Sequence, residues 1–311
     1  MHQIKQPSKI IFGKHTSKNF IFPNNSLVIT SLGAKKRGWL DYLGIKNFQI
    51  YDNVESNPSI DTTVKIIDTF CNEKISTVIG LGGGSCLDVA KFVGHKLKKK
   101  KIMIPTTFGS GSEVTRISVL KVDGKKQSFH DDALFADISI VDSYFIENTP
   151  LDIFKNSVID SIAQCSEGFD SKNGNHFTKF LCNHAFDLLE SGVMKMDNEK
   201  IVLGSLISGL GFGNCSTTLG HALSYVFSNE GYSHGHALAF TTKFAHEFNL
   251  SKFTERFEKI VEHLNFKKIY LKQNFNDAAE LILSDRKHLD NNPKPITKQN
   301  IIKILDQINS I

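Results

Sequence analysis

Short apolar runs of strand character alternate with helical spacing through the first half of the chain. The strand-like runs are Lys9–Gly13, Leu27–Ser31, Phe48–Asp52, Thr77–Leu81, Ile102–Thr106, Ser118–Val122 and Ile138–Asp142. Helical patterns such as Thr62–Asn72 and Ser85–Leu97 separate several of them. Such alternation predicts a parallel sheet covered on both faces. Past Pro150 the strand signals fade. Helical spacing takes over at Phe154–Phe169, Phe177–Ser191, Lys200–Gly211, Ala237–Asn249 and Phe253–Leu264, and a proline-marked turn leads to a last helix from near Thr297. The expected architecture is an α/β domain over residues 1–150 followed by an all-α domain over residues 151–311, with a ligand cleft between them.

Composition narrows the class. A chain of 311 residues exceeds the size at which single cores stop growing and suits two domains. The start is polar and then strand-like, with no signal-peptide pattern, and no apolar run reaches membrane-spanning length. The five cysteines are scattered without CxxC spacing, which reads as a cytoplasmic protein without disulfides or structural zinc. Net charge is a mild +5, and its densest cluster, Lys96 to Lys101, falls between a helical run and a strand. That placement suits a solvated connector, so neither nucleic acid nor membrane is expected as a partner.

Two loops carry candidate chemistry. Gly80-Leu81-Gly82-Gly83-Gly84-Ser85 sits between a strand and a helix. Backbone N–H groups of Gly82, Gly83 and Gly84 could approach a phosphate, with the helix N-terminus adding its positive end. Ser85 is placed to cap that helix, and Asp88 falls in its first turn. A tight turn is the plainer reading, but it needs fewer glycines. The second loop, Pro105 to Glu113, is rich in hydroxyls and glycine, and includes Thr106, Thr107 and Ser112. It suits either contact with a polar ligand or a flexible surface loop.

A third segment, Thr217 to Ala237, places His221 and His234 thirteen residues apart. The first lies in a helical run and the second opens the next element. Two histidines so arranged suit a first-row metal, although histidines in a helical region also serve as ordinary hydrogen-bonded polar residues.

These pieces, in this order, resemble the iron-dependent (group III) alcohol dehydrogenase family, which shares its fold with dehydroquinate synthase. The family pattern GGGSxxDxAK is similar to Gly82 through Lys91, and IPTTxGTGSEVT is similar to Ile104 through Thr115. The likeness runs from the IIFG start to NNPKPIT in the tail. Within the family, Asp160 to Gln164, TTLGHALSY with SHGHA, and NNPKPIT look most like the branch that reduces phosphonoacetaldehyde to 2-hydroxyethylphosphonate.

The resemblance implies a metal site at Asp160, Gln164, His221 and His234. The first two lie four residues apart, on one helix face. Gln164 departs from the family pattern, which has histidine there. The amide leaves open a weaker site, a three-ligand site, a harder ion or a lost metal. The implied ion is divalent, Fe2+ or else Zn2+. His236 is a nearby alternative ligand or a packing residue, and Tyr225 stands where many members carry another histidine.

The implied chemistry is hydride transfer from NADPH or NADH to a carbonyl polarised by the metal, with Asp160, His221 and His234 at the catalytic centre. Gly83, Gly84 and Ser85 would hold the pyrophosphate. Thr106, Thr107 and Ser112 would meet the nicotinamide side, and Lys126 is either a cofactor contact or a solvated hairpin lysine. Strand Leu27–Thr30 ends in Ser31 rather than an acid, and Lys35, Lys36 and Arg37 follow, which favours NADP(H) over NAD(H). A phosphonate would call for cations such as Arg116 or Lys243. The expected partner is a small aldehyde or alcohol, and a homodimer is the assembly the resemblance suggests. Rival readings are a general primary-alcohol dehydrogenase and, in another class, a degenerate cofactor-binding protein. Gln164 and a chain shorter than the resemblance suggests would favour the latter.

Overall fold

A computed structural model describes residues 2–310. The chain divides into two compact units, Gln3–Thr149 and the chain from Pro150 onward.

The first unit is built on eight strands: β1 (Lys9–Phe12), β2 (Ser26–Ile29), β3 (Phe48–Tyr51), β4 (Thr77–Gly82), β5 (Lys100–Pro105), β6 (Ile117–Val122), β7 (Lys125–His130) and β8 (Ile138–Val141). Four helices join them: α1 (Leu32–Lys36), α2 (Trp39–Leu43), α3 (Ile60–Phe70) and α4 (Gly84–Lys96). Six strands form a sheet in the order β1-β8-β5-β4-β2-β3, and every pairing in it is parallel. The central strands β2 and β4 are buried along their whole length, as a sheet covered on both faces requires. Gly80 lets α4 lie close on β4, since a Cβ there would meet Ala90 Cβ and Met103 Sδ at 2.8 Å each.

Chain order reverses between β2 and β4. From β2 the chain moves to β3 on one side; from β4 it moves to β5 on the other. Such a reversal opens a crevice beyond the carboxyl ends of the strands, where ligands of open α/β sheets bind. Both candidate loops of this unit leave carboxyl ends there, Gly82 pairing in register with Pro105.

Two details differ from the sequence reading. The run Ser118–Val122 lies in β6, which stands apart from the parallel sheet and pairs antiparallel with β7. β7 showed no apolar alternation because its residues are exposed or half-buried. Helix α4 starts one residue early: Gly83 is its N-cap, no side chain caps it, and no acid lies in its first turn. Ser85 is therefore inside the helix, and Asp88 lies beyond the first turn.

The second unit contains nine helices among the described residues: α5 (Leu151–Asp170), α6 (His176–Lys195), α7 (Asn198–Phe212), α8 (Leu219–Asn229), α9 (His234–Asn249), α10 (Thr254–Leu264), α11 (Phe275–Ser284), α12 (Arg286–Asn291) and α13 (Lys298–Asn309). Asn175, Asp197, Asn274 and Thr297 cap α6, α7, α11 and α13 with side-chain oxygens. Helices α6 and α7 pack closely because glycines face large neighbours. A Cβ on Gly204 would meet Leu189 Cγ at 2.8 Å, and one on Gly211 would meet Cys182 Sγ at 2.7 Å. No helix among the described residues is long and apolar enough to cross a membrane.

Candidate functional site

In the second unit, three helices bring Asp160 (α5), His221 (α8) and His234 (α9) together. One potential ligand atom from each lies within 4.8 Å of the others. The two imidazoles present the same nitrogen. His221 Nε2 is 3.6 Å and His234 Nε2 is 3.8 Å from Asp160 Oδ1.

The opposite ring nitrogens are held elsewhere. Nδ1 of His221 donates to Glu167 Oε2, and Nδ1 of His234 lies 3.3 Å from Ser224 Oγ. Anchoring Nδ1 fixes ring orientation and leaves Nε2 for an ion, the arrangement of carboxylate–histidine–metal sites.

Glu167 does more than hold the ring. It also accepts the Thr218 hydroxyl at 3.0 Å and the backbone N–H groups of Thr218 and Gly220. Helix α8 has no cap from its own N-cap side chain, so the carboxylate of α5 satisfies its first turn. Burial alone would raise the Glu167 carboxyl; His221 overcomes it and holds the group at about 2. On His221 burial lowers the imidazole, and the carboxylates of Glu167 and Asp160 together outweigh it, raising it to about 9. Sequence reasoning missed Glu167. Its signal was the spacing 160, 164, 167, which is one face of a helix.

Gln164 lies beside the trio. Its Nε2 donates to Asp160 Oδ1 at 2.9 Å, while its Oε1 is buried with no hydrogen-bond partner. A buried acceptor without a partner calls for an explanation, and a bound cation supplies one. The donor set of one carboxylate and two imidazoles, with the amide of Gln164 alongside, fits a divalent ion of the first transition row.

Further groups surround these residues. The rings of His221, His234, Tyr225 and His288 form a cluster, with centroids 5.4 to 6.2 Å apart between neighbours. Burial pushes the Tyr225 phenol up, with Asp285, Asp160 and Glu167 adding to the effect. His288, on α12, was not singled out from sequence; a lone histidine in a short tail helix gives no periodic signal. His236 points elsewhere, its Nε2 2.5 Å from the Lys267 carbonyl and its ring near Tyr232, Phe240 and Phe266. Lys243 is ion-paired with Glu258.

In the first unit, the glycine loop and the hydroxyl loop lie side by side. A Cβ on Gly83 would come within 3.0 Å of Thr107 Oγ1, and one on Gly84 within 2.8 Å of Ser110 Oγ. Gly82 has φ +150°, a conformation that L side chains rarely adopt. Thr106 N–H donates to the Gly82 carbonyl at 3.0 Å. Bare backbone against hydroxyls, at an uncapped helix N-terminus, is a cradle that a phosphate fits.

Other residues of this unit are engaged with protein. Asp88 accepts Ser112 Oγ at 2.6 Å and Val119 N–H at 3.0 Å, and lies 3.2 Å from the buried Lys91 Nζ. The pair Asp88–Ser112 thus ties α4 to the second loop. Ser31 Oγ caps α1 through Ala34 N–H at 3.3 Å. Lys35 pairs with Asp52 at 2.6 Å, and the Arg37 guanidinium lies 5.2 Å from the Trp39 ring. Arg116 pairs with Asp132 at 2.9 Å, and Lys126 sits exposed on β7.

The chain matches two family models, "Iron-containing alcohol dehydrogenase" over residues 7–143 and "Fe-containing alcohol dehydrogenase family, C-terminal" over residues 155–284. It belongs to the iron-containing alcohol dehydrogenase family. It is 32% identical to a 4-hydroxybutyrate dehydrogenase of Clostridium kluyveri over 58% of this chain and 56% of that one. It is 24% identical to a sulfoacetaldehyde reductase of Bilophila wadsworthia, over 84% of this chain and 75% of that one. The matched stretch spans only 56 to 64% of the first relative and of three other alcohol dehydrogenases. In fold it is similar to the NAD+-bound sulfoacetaldehyde reductase of Bifidobacterium kashiwanohense, with a TM-score of 0.91 at 22% identity, covering 100% of this chain and 99% of the other.

Proposed function

We propose that this protein reduces an aldehyde to a primary alcohol with NADPH or NADH, the carbonyl being activated at a divalent metal. The convergence of His221 Nε2 and His234 Nε2 on Asp160 Oδ1, with both Nδ1 atoms tied off, is the observation that carries this reading.

Asp160, His221, His234 and Gln164 Oε1 would hold the ion. Bound there, Fe2+ or Zn2+ supplies Lewis-acid polarisation of the carbonyl oxygen. A reduced nicotinamide supplies the hydride, and a proton completes the alcohol. The chain's own residues bind and orient. The backbone of Gly83 and Gly84 at the α4 N-terminus takes the pyrophosphate, and Thr106 and Thr107 face the same cradle. Glu167 keeps His221 in the tautomer whose Nε2 can bind a metal.

Phosphonoacetaldehyde is the substrate this reading favours. Two relatives have names that denote substrates with an oxyanion at the far end, carboxylate in one and sulfonate in the other, while others are named for alkyl alcohols. With no acid following β2, Ser31 leaves room for a 2′-phosphate, so NADPH is preferred. The five unpaired cysteines support a reducing, cytoplasmic setting for this reaction.

The test is loss of NADPH absorbance on protein reconstituted with ferrous iron, comparing phosphonoacetaldehyde with propanal. A large preference for phosphonoacetaldehyde supports the reading in full. Equal use of propanal leaves a general primary-alcohol dehydrogenase. Coenzyme binding without turnover of any aldehyde would favour a non-catalytic binding protein, the alternative that Gln164 keeps alive.

A further inference from the structure

The hydroxyl loop leaves β5 and runs without regular secondary structure to β6, a strand that pairs with β7 rather than with the parallel sheet. Backbone pairing in that sheet therefore does not hold the loop beside Gly83 and Gly84. Another device must, because a cradle set in advance binds more tightly than one its ligand has to order.

Lys91, on α4, is fully buried and reaches this loop. Its Nζ donates to the carbonyls of Ser112 at 2.8 Å, Thr115 at 3.4 Å and Ile117, and lies 3.2 Å from Asp88 Oδ1. An ammonium has three hydrogens and no acceptor, which suits a nest of oxygens. An apolar side chain there would leave buried carbonyls unpaired.

Asp88 carries the grip onward. Its Oδ1 accepts the Ser112 hydroxyl at 2.6 Å, its Oδ2 accepts Val119 N–H at 3.0 Å, and its own carbonyl accepts Ser118 Oγ at 2.8 Å. Ser112, so oriented, gives its N–H to Ser110 Oγ at 3.3 Å. Ser110 Oγ is the atom that stands 2.8 Å from a Cβ built on Gly84. One further tie, from Ser139 Oγ to the Glu113 carbonyl at 2.5 Å, reaches β8. The Ser112 hydroxyl hydrogen is thus spent inside the protein, on a carboxylate paired with a buried ammonium.

We propose that Lys91 is a positioning residue for the coenzyme: acting through Asp88, Ser112 and Ser110, it holds the hydroxyl wall of the cradle against Gly84. This rests on the coenzyme-binding half of the reductase reading. The coenzyme then binds without first ordering the loop, and loss of the ammonium is felt as weaker coenzyme binding.

The experiment titrates NADPH and NADH by fluorescence against the wild type, Lys91→Met, Ser112→Ala and the double variant carrying both, with urea unfolding of each. Lys91→Met should weaken coenzyme binding about tenfold or more, and Ser112→Ala by a smaller factor. The double variant should lose no more than Lys91→Met alone, because both act along one chain of contacts. Wild-type affinity in Lys91→Met, or losses that multiply in the double variant, overturns the proposal. Should Lys91→Met not fold, Lys91→Met combined with Asp88→Leu removes the buried pair whole and spares the protein an unpaired buried charge. Weak coenzyme binding by that folded protein upholds the positioning role. Wild-type binding by it rejects the role, since a part in stability alone would return affinity together with stability. If the wild type binds neither coenzyme, the reductase reading fails and this proposal with it; binding unchanged across the variants defeats the proposal alone.

Discussion

Gln164 gives its amide hydrogen to Asp160 Oδ1 at 2.9 Å and leaves its own Oε1 buried with no partner. An amide oxygen is a harder and weaker donor than imidazole toward late first-row ions. Gln164→His should therefore raise affinity for Zn2+ by about tenfold or more, and shift selectivity toward softer ions. Competition with a chelator, read by metal analysis, checks it; equal affinity in the two proteins would mean that residue 164 does not touch the ion.

Glu167→Gln removes the charge that orients His221 while keeping most hydrogen bonds to the start of α8. Partners of this kind affect metal affinity by about 10- to 100-fold, and that is the loss expected here. Glu167→Ala should go further and destabilise the fold by about 2 kcal/mol or more, because Thr218, Gly220 and His221 lose one shared acceptor. Thermal unfolding of the two metal-free variants separates the effects.

A methyl group at position 84 would sit 2.8 Å from Ser110 Oγ and crowd the phosphate cradle. Gly84→Ala should weaken NADPH binding by about tenfold or more, without changing metal content. Fluorescence titration of the coenzyme is the measurement; unaltered affinity would place the pyrophosphate elsewhere.

Glu113 provides a pH signature in the first unit. Burial raises its carboxyl from 4.5 to about 7, with Lys91 pulling the other way. A carboxyl raised on folding favours the folded state below its unfolded value, and that contribution disappears as pH climbs through the folded one. Stability should fall by about 3 kcal/mol between pH 4.5 and pH 7 from this group alone. Urea unfolding at the two ends of that window should show the loss in wild type and a smaller one in Glu113→Gln, where Lys91 and Asp88 remain the nearby charges.

What could be read from sequence followed how locally each signal is written. Parallel strands such as β2 and β4 are unbroken apolar runs, and the long amphipathic helices repeat their pattern over several turns. Strand β7 was missed because Lys125, Lys126 and Gln127 are solvated, so nothing alternates. The start of α4 was placed one residue late because Ser85 looks like a cap, whereas Gly83 fills that position. At the trio, His221 and His234 stood out by residue type and spacing, whereas Asp160 was placed only by the family resemblance. Glu167 did not stand out, since a carboxylate on a helix reads as solvated until tertiary packing buries it under α8. His288 gave no such signal, since it lies 67 positions beyond His221 and comes near it through the packing of α12 on α8 and the hydrogen bonds of Asn291 and Asn292.

The trio draws its members from α5, α8 and α9, helices whose order along the chain leaves α6 and α7 looped out between them. An ion held there would act as a removable staple across that loop. Withdrawing the ion would then cost the helical unit stability as well as chemistry, by an amount set by how tightly the trio holds it.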